Sequence, residues 1–158
     1  MIEAIGDLWT YKTPEWQDPD VRVITTNGTI KKDGTCVMGR GCALEAARRF
    51  PWLPKFLGAD LKARGNRPQN YMPSDYPQTI WTFPVKHNWW EKADIGLIAQ
   101  SAQYLADHFS HPEYADSVIV MPRPGCGNGW LDWKDVKAML EPILDDRFHV
   151  ISPKKESR

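Results

Sequence analysis

The chain lacks several features that would settle its chemistry at a glance. It has no net charge, because 20 Lys and Arg balance 20 Asp and Glu over 158 residues. Bulk electrostatic attraction to nucleic acid is therefore not its organising force. Its cysteines, Cys36, Cys42 and Cys126, are odd in number and contain no CxxC spacing, which excludes a disulfide framework and a cysteine-based zinc site. Its four histidines (His87, His108, His111 and His149) form no HxxxH or HExxH pattern, so neither a metal nor a cofactor is expected. No apolar run approaches the roughly 20 residues of a membrane span. The opening residues, Met1 to Asp7, lack the basic region and apolar core of a secretory signal. The expectation is a cytoplasmic, monomeric protein with no membrane partner. There are no internal repeats and no low-complexity segment.

What is present fits one domain with a sizeable core: 42% of the residues are hydrophobic and eight are Trp. Strand and helix signals alternate. Short strands are expected at Met1–Ile5, Val21–Thr26, Asn70–Met72, Gln78–Phe83, Ser117–Met121 and Phe148–Ile151. Helices are expected at Gly41–Phe50, stopped by Pro51, and at Pro54–Ala63. Ala93–Phe109 carries Ile95, Ile98, Ala102, Leu105 and Phe109 at helical spacing. A last helix, capped by Asp132, buries Val136, Met139, Leu140, Ile143 and Leu144, with a kink or early end at Pro142. This alternation predicts an α/β fold with a mainly parallel sheet, whose ligands bind beyond the carboxyl ends of the strands. Residues 1–152 read as a single domain, and 153–158 as a charged, frayed tail.

Three loops at those strand ends carry unusual residues. Val37-Met38-Gly39-Arg40-Gly41-Cys42-Ala43 leads directly into a helix, where glycines let backbone N–H groups approach a phosphate. The same residues also read as a plain helix-entry turn. Pro122 to Trp133 contains Gly125, Gly127 and Gly129 at alternate positions, with Cys126, Asn128 and Trp130 among them. Such a run suits a diphosphate or a flexible turn. In the third loop, Lys86 follows an apolar strand end beside Trp89 and Trp90. Desolvation there would leave its amine nucleophilic, whereas full solvation would leave it inert. Asn27 ends the second strand and offers a donor and an acceptor for a ribose, or forms a turn with Gly28. Asp7 reads as a turn residue or as an acceptor for an amino group. From Arg40 to Arg67, seven Lys and Arg outnumber Glu45 and Asp60, a local excess that favours an anion nearby or a solvated helix face.

At these residues the chain resembles the macro domain family, most closely the branch holding the terminal ADP-ribose glycohydrolase and the DarG-type DNA ADP-ribosyl glycohydrolases. The resemblance runs from Gly6-Asp7 to Ile151 and rests chiefly on Val37–Leu44, Phe83–His87 and Gly125–Trp133 in that order. It implies a three-layer α/β/α sandwich around a mixed, mainly parallel six-stranded sheet. It implies a cleft for ADP-ribose. Asp7 and Leu8 would hold the adenine. Gly39, Arg40, Gly41, Cys42 and Ala43 would hold the diphosphate and distal ribose together with Pro122, Gly125, Cys126, Gly127, Asn128, Gly129 and Trp130. Asn27 would orient the ribose, and Lys86 would be the catalytic lysine. The implied activity is hydrolysis of an ADP-ribosyl linkage on a DNA thymidine or an acidic side chain, with ADP-ribosylated single-stranded DNA as a partner. ADP-ribose 1''-phosphate hydrolysis and non-catalytic ADP-ribose reading are the alternatives. Two departures stand out. Only the second of the family's two strand-end asparagines is kept, and Gly129 stands where the protein-directed glycohydrolase has an aspartate. Trp89, Trp90 and Trp130 read either as core residues or as platforms for a displaced base.

Overall fold

The computed structural model describes residues 1–153. Of the expected tail, residues 154–158 lie outside that range. β1 (Ile2–Ile5), β2 (Val21–Asn27), β3 (Asn70–Tyr71), β4 (Thr79–Lys86), β5 (Ile119–Pro122) and β6 (Phe148–Ser152) form one sheet in the order β1-β6-β5-β2-β4-β3. All neighbours run parallel except β3, which pairs antiparallel with β4 at the edge. The helices are α1 (Gly41–Arg49), α2 (Leu53–Arg64), α3 (Ile95–His108) and α4 (Trp133–Leu140). None is long and apolar enough to cross a membrane among the described residues.

The alternation of side chains along β2 explains the two helical layers. Val21 and Val23 join Ile98, Ala102 and Leu105 of α3 and Val136 and Leu140 of α4 in one core. Ile24 faces the other way, into a core built with Ala43 and Ala46 of α1 and Leu53, Leu57 and Leu61 of α2. Successive residues of a strand point to opposite faces, so a sheet apolar on both needs cover on both. The fold is thus an α/β/α sandwich around a mixed sheet. Because five strands are parallel, their carboxyl ends share one edge. Asn27, Lys86, Pro122 and Ser152 stand along it, with Gly6 just beyond β1.

Several boundaries differ from the sequence expectation, each for a local reason. β4 does not stop at Phe83 but continues through Pro84 to Lys86. The ladder accommodates the proline by shifting register: Thr26 pairs with Pro84, but Asn27 pairs with Lys86. A proline has no N–H to give, and strands hold it at edges or bulges. α3 starts at Ile95 because Asp94 caps it, its Oδ1 accepting from the Gly96 and Leu97 amides at 2.8 and 3.3 Å. α4 ends at Leu140, short of Pro142, and Leu144 reaches the core from beyond the helix.

The loop after β2 packs tightly on α2. A Cβ at Gly58 would collide with the Gly34 carbonyl oxygen. Replacing a helical glycine with alanine ordinarily stabilises by up to about 1 kcal/mol. Here the clash is with backbone, so Gly58→Ala is expected to destabilise by roughly 1–3 kcal/mol. Thermal denaturation showing an unchanged or raised Tm would contradict this packing.

Candidate functional site

A cleft of about 1130 Å³ opens along the carboxyl edge of the sheet. Its walls come from the Gly6–Leu8 turn, the end of β2, the Val37–Ala43 loop, the end of β4, and the loop after β5.

The Val37–Ala43 loop ends in the amino terminus of α1. The first hydrogen bond there runs from the Leu44 amide to the Arg40 carbonyl at 3.2 Å. The amides of Gly41, Cys42 and Ala43 therefore have no acceptor within the helix. No side chain caps this end, since Arg40 makes no capping bond. Three open N–H groups and the positive end of the helix dipole make this a place for an anion. Cys42 anchors the loop, its sulfur lying 3.3 Å from the Thr25 hydroxyl and 3.4 Å from the Thr25 amide.

The loop after β5 folds back on itself. The Leu131 amide donates to the Gly125 carbonyl at 2.9 Å, and the Ala93 amide donates to the Gly129 carbonyl at 3.0 Å. Gly125 has φ +76, and a Cβ there would sit 2.7 Å from Ile98 Cδ1. A Cβ at Gly129 would lie 2.5 Å from the Gly125 carbonyl oxygen and 2.7 Å from Ala93 Cβ. No side chain fits at 129 on this backbone, the aspartate of the protein-directed enzyme included. The two loops meet across the cleft, because a Cβ at Gly41 would come within 3.2 Å of Asn128 Nδ2.

Lys86 and Asn27, paired across the register shift, both line the cleft. The Asn27 amide is already held in place. Its Nδ2 donates to the Val37 carbonyl and its Oδ1 accepts from the Thr29 amide, each at 3.0 Å. One hydrogen and one lone pair remain for a ligand. Lys86 Nζ donates to the Trp89 carbonyl at 3.3 Å. Burial, and secondarily the Arg40 guanidinium, push this amine below the ordinary lysine range. The proton is disfavoured because a half-buried ammonium loses hydration and faces another cation.

At the far end, Asp7 closes the turn after β1. Its Oδ1 accepts from the Trp9 amide at 2.9 Å, which leaves Oδ2 open. Beneath it, the buried Arg22 donates from Nη1 to the Leu8 carbonyl at 2.6 Å and from Nε to Gln78 at 3.4 Å. A buried guanidinium with no carboxylate partner among the described residues thus props the Asp7–Leu8 turn.

Most of the expected site residues gather here. Asp7, Leu8, Asn27, Gly39, Arg40, Gly41, Cys42, Ala43, Lys86, Pro122, Gly125, Gly127, Asn128 and Gly129 all line the cleft. Cys126 and Trp130 do not. Cys126 packs against the α3/α4 core and donates weakly to the Pro124 carbonyl. Trp130, at φ +66, is 79% exposed and stands outside the cleft wall. None of the three thiols is primed as a thiolate. Burial raises all of them, Cys36 to about 12 and Cys126 to about 11.

Sequence reasoning missed Lys31 and Arg123, which also line the cleft. Lys31 is carried in by a tight turn, the Gly34 amide donating to the Lys31 carbonyl at 2.9 Å. The Asp33-Gly34 pair was the available signal. Arg123 lies over the Trp133 ring at 4.8 Å, and its buried Nε has no partner. It lies inside the Pro122–Trp133 loop that the sequence singles out, but its residue type alone does not mark it.

No protein-family model matches the chain. Among curated proteins it is similar to the DNA ADP-ribosyl glycohydrolase of Mycobacterium tuberculosis, 31% identical over 110 residues, or 66% of this chain and 30% of that protein. The Thermus aquaticus protein of the same name is 26% identical over 114 residues, covering 69% and 31%. The chain spans about a third of the length of these relatives. The macrodomain of Mycobacterium tuberculosis DarG superposes with a TM-score of 0.74 at 25% identity, over 97% of both chains. The macrodomain of Thermus aquaticus DarG gives 0.72 at 25% identity, over 98% and 97%. Thermosipho africanus DarTG, solved in complex with ADP-ribose, gives 0.70 at 20% identity over 90% of this chain and 41% of that one, a likeness of fold. The sheet order, its two helical layers and this strand-edge cleft are those of a macro domain. Within that family the chain is a macro domain of the DarG type.

The close approach at Gly129 has a direct consequence. Gly129→Asp is expected to lower the unfolding free energy by about 1–3 kcal/mol, as for other overpacked sites. A Tm equal to that of the parent protein would show that the loop has room for a side chain.

Proposed function

We propose that the chain binds ADP-ribose in this cleft and hydrolyses the bond joining its distal ribose to a modified target, with Lys86 as the catalytic group. The observation that carries the reading is the placement of Lys86. A partly dehydrated amine stands opposite Asn27 at the edge of a cleft whose two glycine loops face each other. The solved DarTG complex with ADP-ribose and the names of the curated relatives support the same ligand and the same reaction class.

In this reading the diphosphate lies on the amides of Gly41 to Ala43, with the second loop closing over it. Asp7 Oδ2 and the Leu8 backbone take the adenine amino edge, and Arg22 keeps that turn in place. The distal ribose then reaches Asn27 and Lys86. Lys86 Nζ, as the free amine, forms a bond to the anomeric carbon. The linkage to the target breaks, and its electron pair leaves with the target and takes up a proton. Opening of the ribose ring gives an imine. Water adds to that carbon, the carbon–nitrogen bond breaks, and ADP-ribose and the amine are regenerated. The lowered affinity of Lys86 for its proton increases the reactive form at neutral pH. With no room for a carboxylate at Gly129, the amine acts without the loop aspartate. DNA is the favoured target, in line with the relatives' names, and thymidine is the base that the family resemblance implies. Residues 1–152 act as one unit, in a reducing compartment that keeps the three thiols free.

Calorimetry is expected to detect ADP-ribose binding to both the parent protein and Lys86→Ala. Turnover of an ADP-ribosylated thymidine oligonucleotide should fall by about 10²- to 10⁴-fold in that variant, the range for loss of a positioned catalytic group. The rate should rise with pH, with a midpoint below the lysine value of 10.5. Borohydride added during turnover should trap an adduct on Lys86. No heat of association with millimolar ADP-ribose would remove the reading altogether. Cleavage of ADP-ribose 1''-phosphate alone would make the protein a phosphatase. Binding without turnover would make it a reader.

A further inference from the structure

Two neighbouring indoles flank the reactive end of the cleft and are not used in the reaction above. Trp89 lines the cleft and is 48% exposed, while Trp90 beside it is 64% exposed. Their rings meet edge to face at 5.9 Å and 89°. Large aromatic side chains left open beside a cleft are apolar area without cover. Of the three tryptophans exposed around this edge, only Trp89 forms part of the cleft wall. Trp130 stands outside it.

The segment carrying the pair is fastened at several points, so the backbone from which the indoles project is held in position. The Gly28 amide donates to the His87 carbonyl at 3.1 Å, and the Trp89 amide donates to the Thr29 hydroxyl at 3.0 Å. His87 Nε2 lies 2.8 Å from Asp94 Oδ2, and Asn88 Nδ2 donates to Glu91 Oε1 at 2.7 Å. The same backbone accepts from Lys86 Nζ at the Trp89 carbonyl. Trp89 and Lys86 thus line the same end of the cleft. Lys31, exposed in the same wall, offers a cation for a phosphodiester.

We propose that Trp89, braced by Trp90, forms a leaving-group subsite that stacks on the base of a nucleotide joined to the distal ribose, and that this subsite makes the cleft select DNA-linked over protein-linked ADP-ribose. The inference rests on the ADP-ribose reading of the cleft and adds to it a surface for the target. An indole face matches a flat heteroaromatic base of any sequence, whereas a glutamyl linkage presents only a flexible chain with no plane to stack on.

The test separates the subsite from the reading beneath it. Binding is measured in the Lys86→Ala protein, which is expected not to consume the probe, with two ligands: free ADP-ribose and an ADP-ribosylated thymidine oligonucleotide. The subsite predicts that the oligonucleotide binds about tenfold or more tightly than free ADP-ribose, as stacking of one base implies. Adding Trp89→Ala should abolish that advantage while leaving free ADP-ribose affinity within about threefold. Trp89→Phe should restore much of it, and a glutamyl-linked ADP-ribosyl peptide should show no dependence on residue 89. Equal affinity for both ligands, an equal loss of both in Trp89→Ala, or a loss produced by Trp130→Ala instead would overturn the subsite and leave the ADP-ribose reading intact. A preference for the glutamyl peptide that depends on Trp89 would overturn it in favour of a protein target. Failure to bind free ADP-ribose at all would remove the underlying reading, and the subsite with it.

Discussion

The site depends on how closely two stretches of backbone can approach each other. The loop after β5 reaches its conformation only because residues 125 and 129 carry no side chain, the second lying against the carbonyl of the first. Gly41, at the start of α1, sits next to Asn128 from the opposite loop. Open amides at a helix end attract an anion anywhere. Here they face a second loop close enough to share one. A single methyl group at these positions would disturb the packing behind the cleft as well as its surface, because Ile98, Ala93 and Leu131 lie immediately beneath. Groove geometry and α3 packing are therefore one constraint.

The Lys86 end of the cleft obeys a different constraint, set by the sheet. Pro84 lies inside β4, and the register shift beside it places Lys86, not Val85, opposite Asn27. Ser101 on α3 donates to the Pro84 carbonyl at 2.8 Å and holds the distorted strand from behind. The lysine thereby becomes the last residue of a strand and not the first of a loop. Its backbone is fixed by the ladder and by Asn66, which donates to the Lys86 carbonyl at 3.0 Å. A side chain that must present one atom in one geometry gains from such support.

The Asp7–Leu8 end of the cleft is supported by buried polar contacts as well as by apolar packing, since Leu8, Trp9 and Tyr11 lie in the second core. Arg22 carries a charge into the core and uses it on the Leu8 carbonyl and Gln78. Tyr11, whose hydroxyl meets His149 Nδ1 at 2.7 Å, packs against Gly6 and fixes the other side of the same turn. Buried polar groups of this kind cost desolvation unless satisfied, so they define one arrangement of the turn strongly. The three ends of the cleft are thus held by three different means: missing side chains, a shifted ladder and buried hydrogen bonds.

The sequence by itself determined the class of fold and most of the cleft. Alternating strand and helix signals marked an α/β fold with a mainly parallel sheet, and glycines at 39, 41, 125, 127 and 129 marked two of the loops that wall the cleft. These signals are local, and a local pattern survives in the sequence. Only the tertiary structure decided the rest. That Lys86 belongs to the strand follows from a ladder with β2, and that Arg123 enters the cleft follows from how separate segments pack. Trp89 and Trp130, both read as candidate platforms, were separated by backbone path alone. Trp89, whose amide is bonded to Thr29, lines the cleft, whereas Trp130, at a positive φ, stands outside it. Periodicity and residue type describe what each segment is able to do, whereas contacts between residues sixty positions apart decide which of them share a ligand.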